Sequence, residues 1–195
     1  MQIQVRNLTP SLWPSLEKLF GKNGACGGCW CMFWRLKGQE PYPQLKGPAL
    51  KRRFKARVLK GEILGALAFV DSEPVGWVTY GPRTTFPRLE RSPTLACDDA
   101  AKVWSVPCFY VKAGFRKKGV ATALLAHAVE RMRARGAPLA EGYPVKPARD
   151  GSPLPAAFSY TGTVAMFEKA GFGFAADSVH SKIRMRRPLS SPPAG

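Results

Sequence analysis

The chain has no run of about 18 apolar residues, so no segment reads as a membrane-crossing helix. Residues 1–10 lack the apolar centre of a secretory signal, and an odd count of five cysteines fits reduced thiols better than a disulfide framework. A cytoplasmic location is the expectation. Acid is scarce: 13 Asp and Glu stand against 30 Lys and Arg, for a formal net charge of +17. That excess predicts attraction to polyanions, with coenzyme A, nucleic acid, acidic proteins and anionic membrane surfaces all eligible. The cations are dispersed along the chain and not gathered in one tail, which favours a solvated basic surface over a specific nucleic-acid site. A polycationic ligand would need an acidic pocket that so few carboxylates are poorly placed to supply. Nucleotide motifs are missing as well. No Gly-x-x-x-x-Gly-Lys-Ser/Thr loop occurs, and Gly171-Phe172-Gly173 lacks the third glycine and following helix of a dinucleotide site.

What is present suits one globular domain over 1–189 with a disordered tail at 190–195. At 195 residues and 45% hydrophobic content the chain can bury a core without cross-links. Residues 1–7 alternate loosely and read as a strand. Thr9-Pro10 opens a helix that ends at Gly21, and 48–59 is a strongly basic second helix. Strands at 63–70 and 75–81 flank the turn Asp71-Ser72-Glu73-Pro74. The stretch 83–99 is polar and proline-bearing, a loop able to lie over a cleft. Strands at 102–111 and 138–145 enclose a helix at 120–135. A proline-rich loop at 146–155 and a helix at 161–170 precede a final antiparallel pair at 172–179 and 182–188. The right-handed crossover rule makes 102–111 and 138–145 parallel neighbours in a mixed α/β sandwich.

The most informative stretch runs from Val103 to Gly136. An apolar strand passes through Arg116-Lys117-Lys118-Gly119-Val120-Ala121-Thr122 straight into an amphipathic helix. A helix start offers unpaired N–H groups and a partial positive charge, so this turn suits a bound phosphate. Arg116, Gly119 and Ala121 match the cofactor signature of GNAT-type N-acetyltransferases, which the segment resembles. The later run Val164–Phe172 resembles the helix-to-strand element with which those enzymes wall off the pantetheine arm. The Cys-Trp-Cys region is similar to that of a bacterial subgroup.

The resemblance, covering roughly residues 60–188, implies a mostly antiparallel sheet of about six to seven strands, one splayed parallel pair and about four flanking helices. It implies acetyl-CoA as co-substrate, with main-chain groups of Phe109, Tyr110 and Val111 and the side of Phe167 on the pantetheine. Amides from Arg116, Lys117, Lys118, Gly119, Val120, Ala121 and Thr122 would hold the pyrophosphate. The acceptor would be a small-molecule or peptide amine, and the protein a monomer or homodimer.

Transfer of acetyl to an amine needs the free base. An alkylamine of pKa about 10 is only ~0.1% deprotonated near pH ~7, a handicap of about 4 kcal/mol. Many members of the family set a carboxylate on the strand before the pyrophosphate turn, and VWSVPCFYV carries none. Glu141, two residues from Tyr143 and so on the same strand face, is the expected base, with Asp98 and Asp99 behind it. The family's usual acid is a tyrosine where this chain has Phe167, so Tyr160, Tyr143 or water is left for that role. Trp30, Phe33 and Trp34 are expected to line the acceptor end. Cys26, Cys29 and Cys31 echo metal-ligand spacing but lack an evident fourth ligand, and no metal is expected. The competing expectation is a GNAT scaffold whose catalytic groups are degraded and which binds nucleic acid or another polyanion.

Overall fold

The computed structural model describes residues 1–146, 160–176 and 183–189. Its centre is a seven-stranded sheet in the order β1-β2-β3-β4-β5-β7-β6. The strands are β1 (Gln4–Asn7), β2 (Gly65–Val70), β3 (Glu73–Pro82), β4 (Val103–Val111), β5 (Leu139–Gly142), β6 (Gly173–Ala176) and β7 (Arg184–Pro188). All neighbours are antiparallel except β4 and β5, whose parallel register runs from Val103–Leu139 to Val106–Gly142. The crossover between them is α5 (Val120–Arg133), as the handedness rule requires. The expected fold class is therefore the observed one.

Both faces of the sheet are covered, and the alternation of β2 shows how. Ala66, Ala68 and Val70 face α5 in one core, whereas Leu67 and Phe69 face the other core with Trp77. Small residues toward α5 let the helix sit close. A Cβ at Gly76 would lie 2.6 Å from Val120 Cγ1, so β3 has glycine at the contact. The opposite core is aromatic, built on α1 (Trp13–Phe20) and α3 (Pro48–Leu59), with Trp13 stacked on Trp30 at 6.0 Å. Two one-turn helices, α2 (Tyr42–Leu45) and α4 (Pro87–Glu90), lie in stretches not predicted as helix. The last helix, α6 (Val164–Lys169), joins the α5 side through Met166 and Phe167.

Several boundaries move. The strand expected over 138–145 ends at Gly142, with Val145 left in an isolated bridge to Thr163. The helix expected over 161–170 starts three residues later. The final pair does form, but β7 inserts between β5 and β6. The 146–155 loop beyond Lys146, the ends of the last two predicted strands at 177–179 and 182, and the tail at 190–195 lie outside the described residues.

One irregularity positions the site. Thr79 pairs with Cys108 and Gly81 with Ser105, so Tyr80 opposes both Val106 and Pro107. This bulge sits on a residue with no N–H to contribute to a ladder. It flips the phase of β4: Val106 and Phe109 both face α5, while Cys108 and Tyr110 face the aromatic core. Just past it, β4 and β5 stop pairing.

Candidate active site

The turn before α5 is open. Gly119, its N-cap, has φ +82°, a left-handed conformation that a residue with a Cβ adopts at a cost of roughly 1–2 kcal/mol. No side chain caps this helix start, which leaves the first-turn amides of Val120, Ala121 and Thr122 for a ligand. A Cβ added at Gly119 would meet nothing nearer than Ile3 Cδ1 at 4.0 Å, so the approach is clear. Arg116 Nε donates to the Val111 carbonyl at 3.1 Å and thereby ties the turn to β4. Lys118 Nζ lies 5.8 Å over the Phe115 ring and does not line the cavity described next.

From this turn a cavity of ≈ 1470 Å³ runs along the gap between β4 and β5 to the aromatic core. Arg116, Lys117, Gly119, Val120, Ala121 and Thr122 form one end of it. The inner part of the gap is narrowed by chain: the Phe109 N–H donates to the Tyr160 carbonyl at 2.6 Å, and the Val145 N–H to the Gly162 carbonyl at 3.2 Å. Strand alternation then directs the Phe109 carbonyl and the Val111 N–H into the gap, and turns the main chain of Tyr110 toward β3. All three residues expected to offer main-chain groups line the cavity, and the Phe109 N–H is taken by the Tyr160 carbonyl. Phe167 is fully buried against Phe109 and Phe172 and does not reach the cavity, whose α6 wall is Val164, Ala165 and Met166.

The sequence matches the acetyltransferase (GNAT) family model over residues 30–143, more than half of the chain. The chain belongs to the GNAT acetyltransferase family. Solved structures with the same fold include the PaiA N-acetyltransferase of Thermoplasma acidophilum in complex with coenzyme A, at 17% identity and TM-score 0.53 over 96% of this chain and 99% of that one. The phosphinothricin acetyltransferase of Sinorhizobium meliloti in complex with AcCoA matches at 15% identity and TM-score 0.56, over 100% and 95%. The ribosomal-protein-alanine N-acetyltransferase of Brucella melitensis matches at 15% and 0.52, over 95% and 99%. No curated protein matches the chain significantly.

At the far end of this GNAT cavity lie Phe33, Trp34 and Tyr42, together with Cys26, Cys29, Cys31 and Cys108. Phe33 and Trp34, two of the three aromatic residues expected to line an acceptor end, line this cavity. Trp30 does not; it is 3% exposed, packed between Trp13 and Phe20. Trp34 Nε1 is buried with no hydrogen-bond partner among the described residues. Tyr160 also lines the cavity, and burial pushes its hydroxyl above the ordinary tyrosine range. Cys29 is pushed up to about 11, chiefly by burial. Among the described residues no metal cluster forms, and no carboxylate or histidine lines the cavity. Lys46, Arg116, Lys117 and Lys146 do.

Glu141 and Tyr143, the expected base and one expected acid, sit outside this cavity, and both are 0% exposed. The face they share is turned onto the buried Arg83. Its Nη1 donates to Glu141 Oε1 at 2.5 Å and to Tyr143 Oη at 2.6 Å, while Nη2 donates to the Leu95 carbonyl. Arg186 Nε occupies Glu141 Oε2 at 2.6 Å, and Ser105 Oγ meets Tyr143 Oη at 2.6 Å. Each polar atom is taken and none reaches a ligand. Asp99 is bound by both Nη atoms of Arg186 at 2.8 Å. It lines a separate cleft of ≈ 550 Å³ together with Asp98. Sequence reasoning missed Cys31, Cys108 and Tyr42 as cavity residues; Pro107 inside a predicted strand was the available sign that β4 changes face.

Proposed function

We propose that the chain transfers acetyl from acetyl-CoA to a primary amine by direct attack within a ternary complex. One observation carries this reading: a single cavity joins an uncapped, glycine-started helix to an aromatic chamber, passing along the gap between the parallel strands. The helix end suits a diphosphate, the gap a slender pantetheine arm and the chamber an acceptor. Charge-assisted hydrogen bonds are worth ~1.5–3 kcal/mol each, and three or four at α5 fit micromolar affinity, about 8 kcal/mol, after the costs of association. The complexes of the Thermoplasma and Sinorhizobium proteins with coenzyme A and AcCoA support the same ligand here.

Tyr160 is the proton donor to the departing thiolate in this scheme. It lines the cavity beside Phe109, and its raised pKa keeps the hydroxyl protonated at neutral pH. The acceptor is an amine that has no second cationic centre or that bears an anion, because the lining cations and the lack of lining carboxylates among the described residues repel a polyamine. Thiol release from acetyl-CoA across an amine panel tests the function. Turnover is expected with aromatic or carboxylate-bearing amines and little with polyamines; preference for polyamines would contradict the charge argument, and no turnover at all would contradict the enzyme.

A further inference from the structure

We propose that the Cys31 sulfur, seated against Trp77 and Cys108 at the chamber end of the cavity, takes the proton from the acceptor ammonium. The role rests on the acetyl-transfer reading above. No carboxylate or histidine among the described residues lines the cavity, whereas the Cys31 thiol does. Cys31 is surrounded by groups that favour an anion. Trp77 Nε1 donates to its sulfur at 3.2 Å, and Cys108 on β4 lines the same end of the cavity. Arg35, four residues on, is 4% exposed with no carboxylate partner among the described residues. Its Nη2 donates to Thr79 Oγ1 at 2.9 Å, its guanidinium covers the Phe86 ring at 4.3 Å, and its Nε has no acceptor among the described residues. A buried guanidinium without a counter-charge is costly, and a thiolate at Cys31 supplies one.

Backbone geometry agrees. Trp30 and Cys31 have φ +44° and +53°, two successive left-handed residues that both carry a Cβ. Such a conformation persists only where surrounding structure enforces it, and here it sets the thiol against Trp77. The neighbouring thiols titrate the other way. Cys29 and Cys108 are held protonated, the first mainly by burial and the second mainly by its bond to Cys31. Cys31 alone is lowered, first by the Cys108 hydrogen bond, then by Trp77 and the charge of Arg35, against the opposing effect of burial. Cys29 interacts with it from its own loop, Cys26 and Cys29 act on Cys108, and Arg57 on α3 acts on Arg35.

The step balances. The Cys31 thiolate accepts a proton from R–NH3⁺, giving the thiol and R–NH2. The amine lone pair forms the N–C bond to the thioester carbonyl carbon, and the C–S bond breaks with its electron pair leaving on the coenzyme A sulfur. The surplus proton on the new amide nitrogen passes to that thiolate through Tyr160, and Cys31 returns its own proton to solvent.

The test uses the full chain with an amine that turns over, comparing wild type, Cys31→Ser and Trp77→Phe. Acetyl-CoA affinity is read by calorimetry, kcat/KM as a function of pH, and the thiolate by its ultraviolet absorbance. Cys31→Ser should keep acetyl-CoA affinity and lose about 10²-fold or more in kcat. The ascending limb of the wild-type profile should coincide with a thiolate titration that is lost in Cys31→Ser. Trp77→Phe, by removing one donor, should move that limb up by about one pH unit. A wild-type profile in Cys31→Ser, or a Cys31 protonated throughout the active range, overturns the role while leaving acetyl transfer standing. So does an acetyl group found on Cys31 without amine, since that would make it the nucleophile. Failure of wild type to bind acetyl-CoA would instead remove the proposed function and this role with it. If Cys31→Ser does not fold, the wild-type titration and the Trp77→Phe shift decide.

Discussion

Arg83 and Glu141 form an ion pair at 2.5 Å with both side chains fully buried, 58 residues apart in the chain. The pair pins the segment after β3 onto β5. One of the few carboxylates in the chain is thereby committed to holding β5 inside the sheet, where Arg186 and, at 3.8 Å, Arg184 share it.

Glu141→Gln should therefore act on stability. Breaking one side of a buried pair costs about 3–5 kcal/mol, because the cations left behind stay desolvated. At ~2–4 °C per kcal/mol for a chain of this size, calorimetry should show a large fall in Tm. Where the variant is folded, the pH dependence of turnover should match wild type. A normal Tm with a collapsed alkaline-side rate would instead make Glu141 the base.

Trp34 offers a buried indole N–H on the cavity wall that has no partner among the described residues. Trp34→Phe should raise KM for the acceptor several-fold and leave acetyl-CoA affinity unchanged, in line with the loss of one hydrogen bond worth about 1 kcal/mol. Steady-state kinetics with each substrate varied in turn separates the two. An equal loss for both substrates would mean that the ring packs the whole cavity.

Local features of the fold were legible in the sequence, and long-range ones were not. The Arg116–Thr122 turn and the inner face of α5 are written in neighbouring residues, so the uncapped start of α5 could be read directly. The β4–β5 parallel pair followed from chirality. The insertion of β7 between β5 and β6 depends on pairings with no local signature. Alternation put Glu141 and Tyr143 on one face correctly, but nothing local says that Arg83 occupies that face. Trp30 and Trp34 looked equivalent in a run of aromatics. The left-handed backbone at Trp30 and Cys31 sends the first into the core, while the second reaches the cavity. Pro107 flips β4 and brings Cys108 to Cys31, a contact that residue spacing alone does not encode.

Calorimetric titration of acetyl-CoA into wild type and Gly119→Glu tests the central claim most directly. The substitution sets a carboxylate on a left-handed residue at the mouth of α5, so it should cost roughly 1–2 kcal/mol of stability and abolish binding. Wild type should bind with a Kd in the micromolar range, about 8 kcal/mol. Equal affinity in the two proteins would contradict a diphosphate site at this helix end.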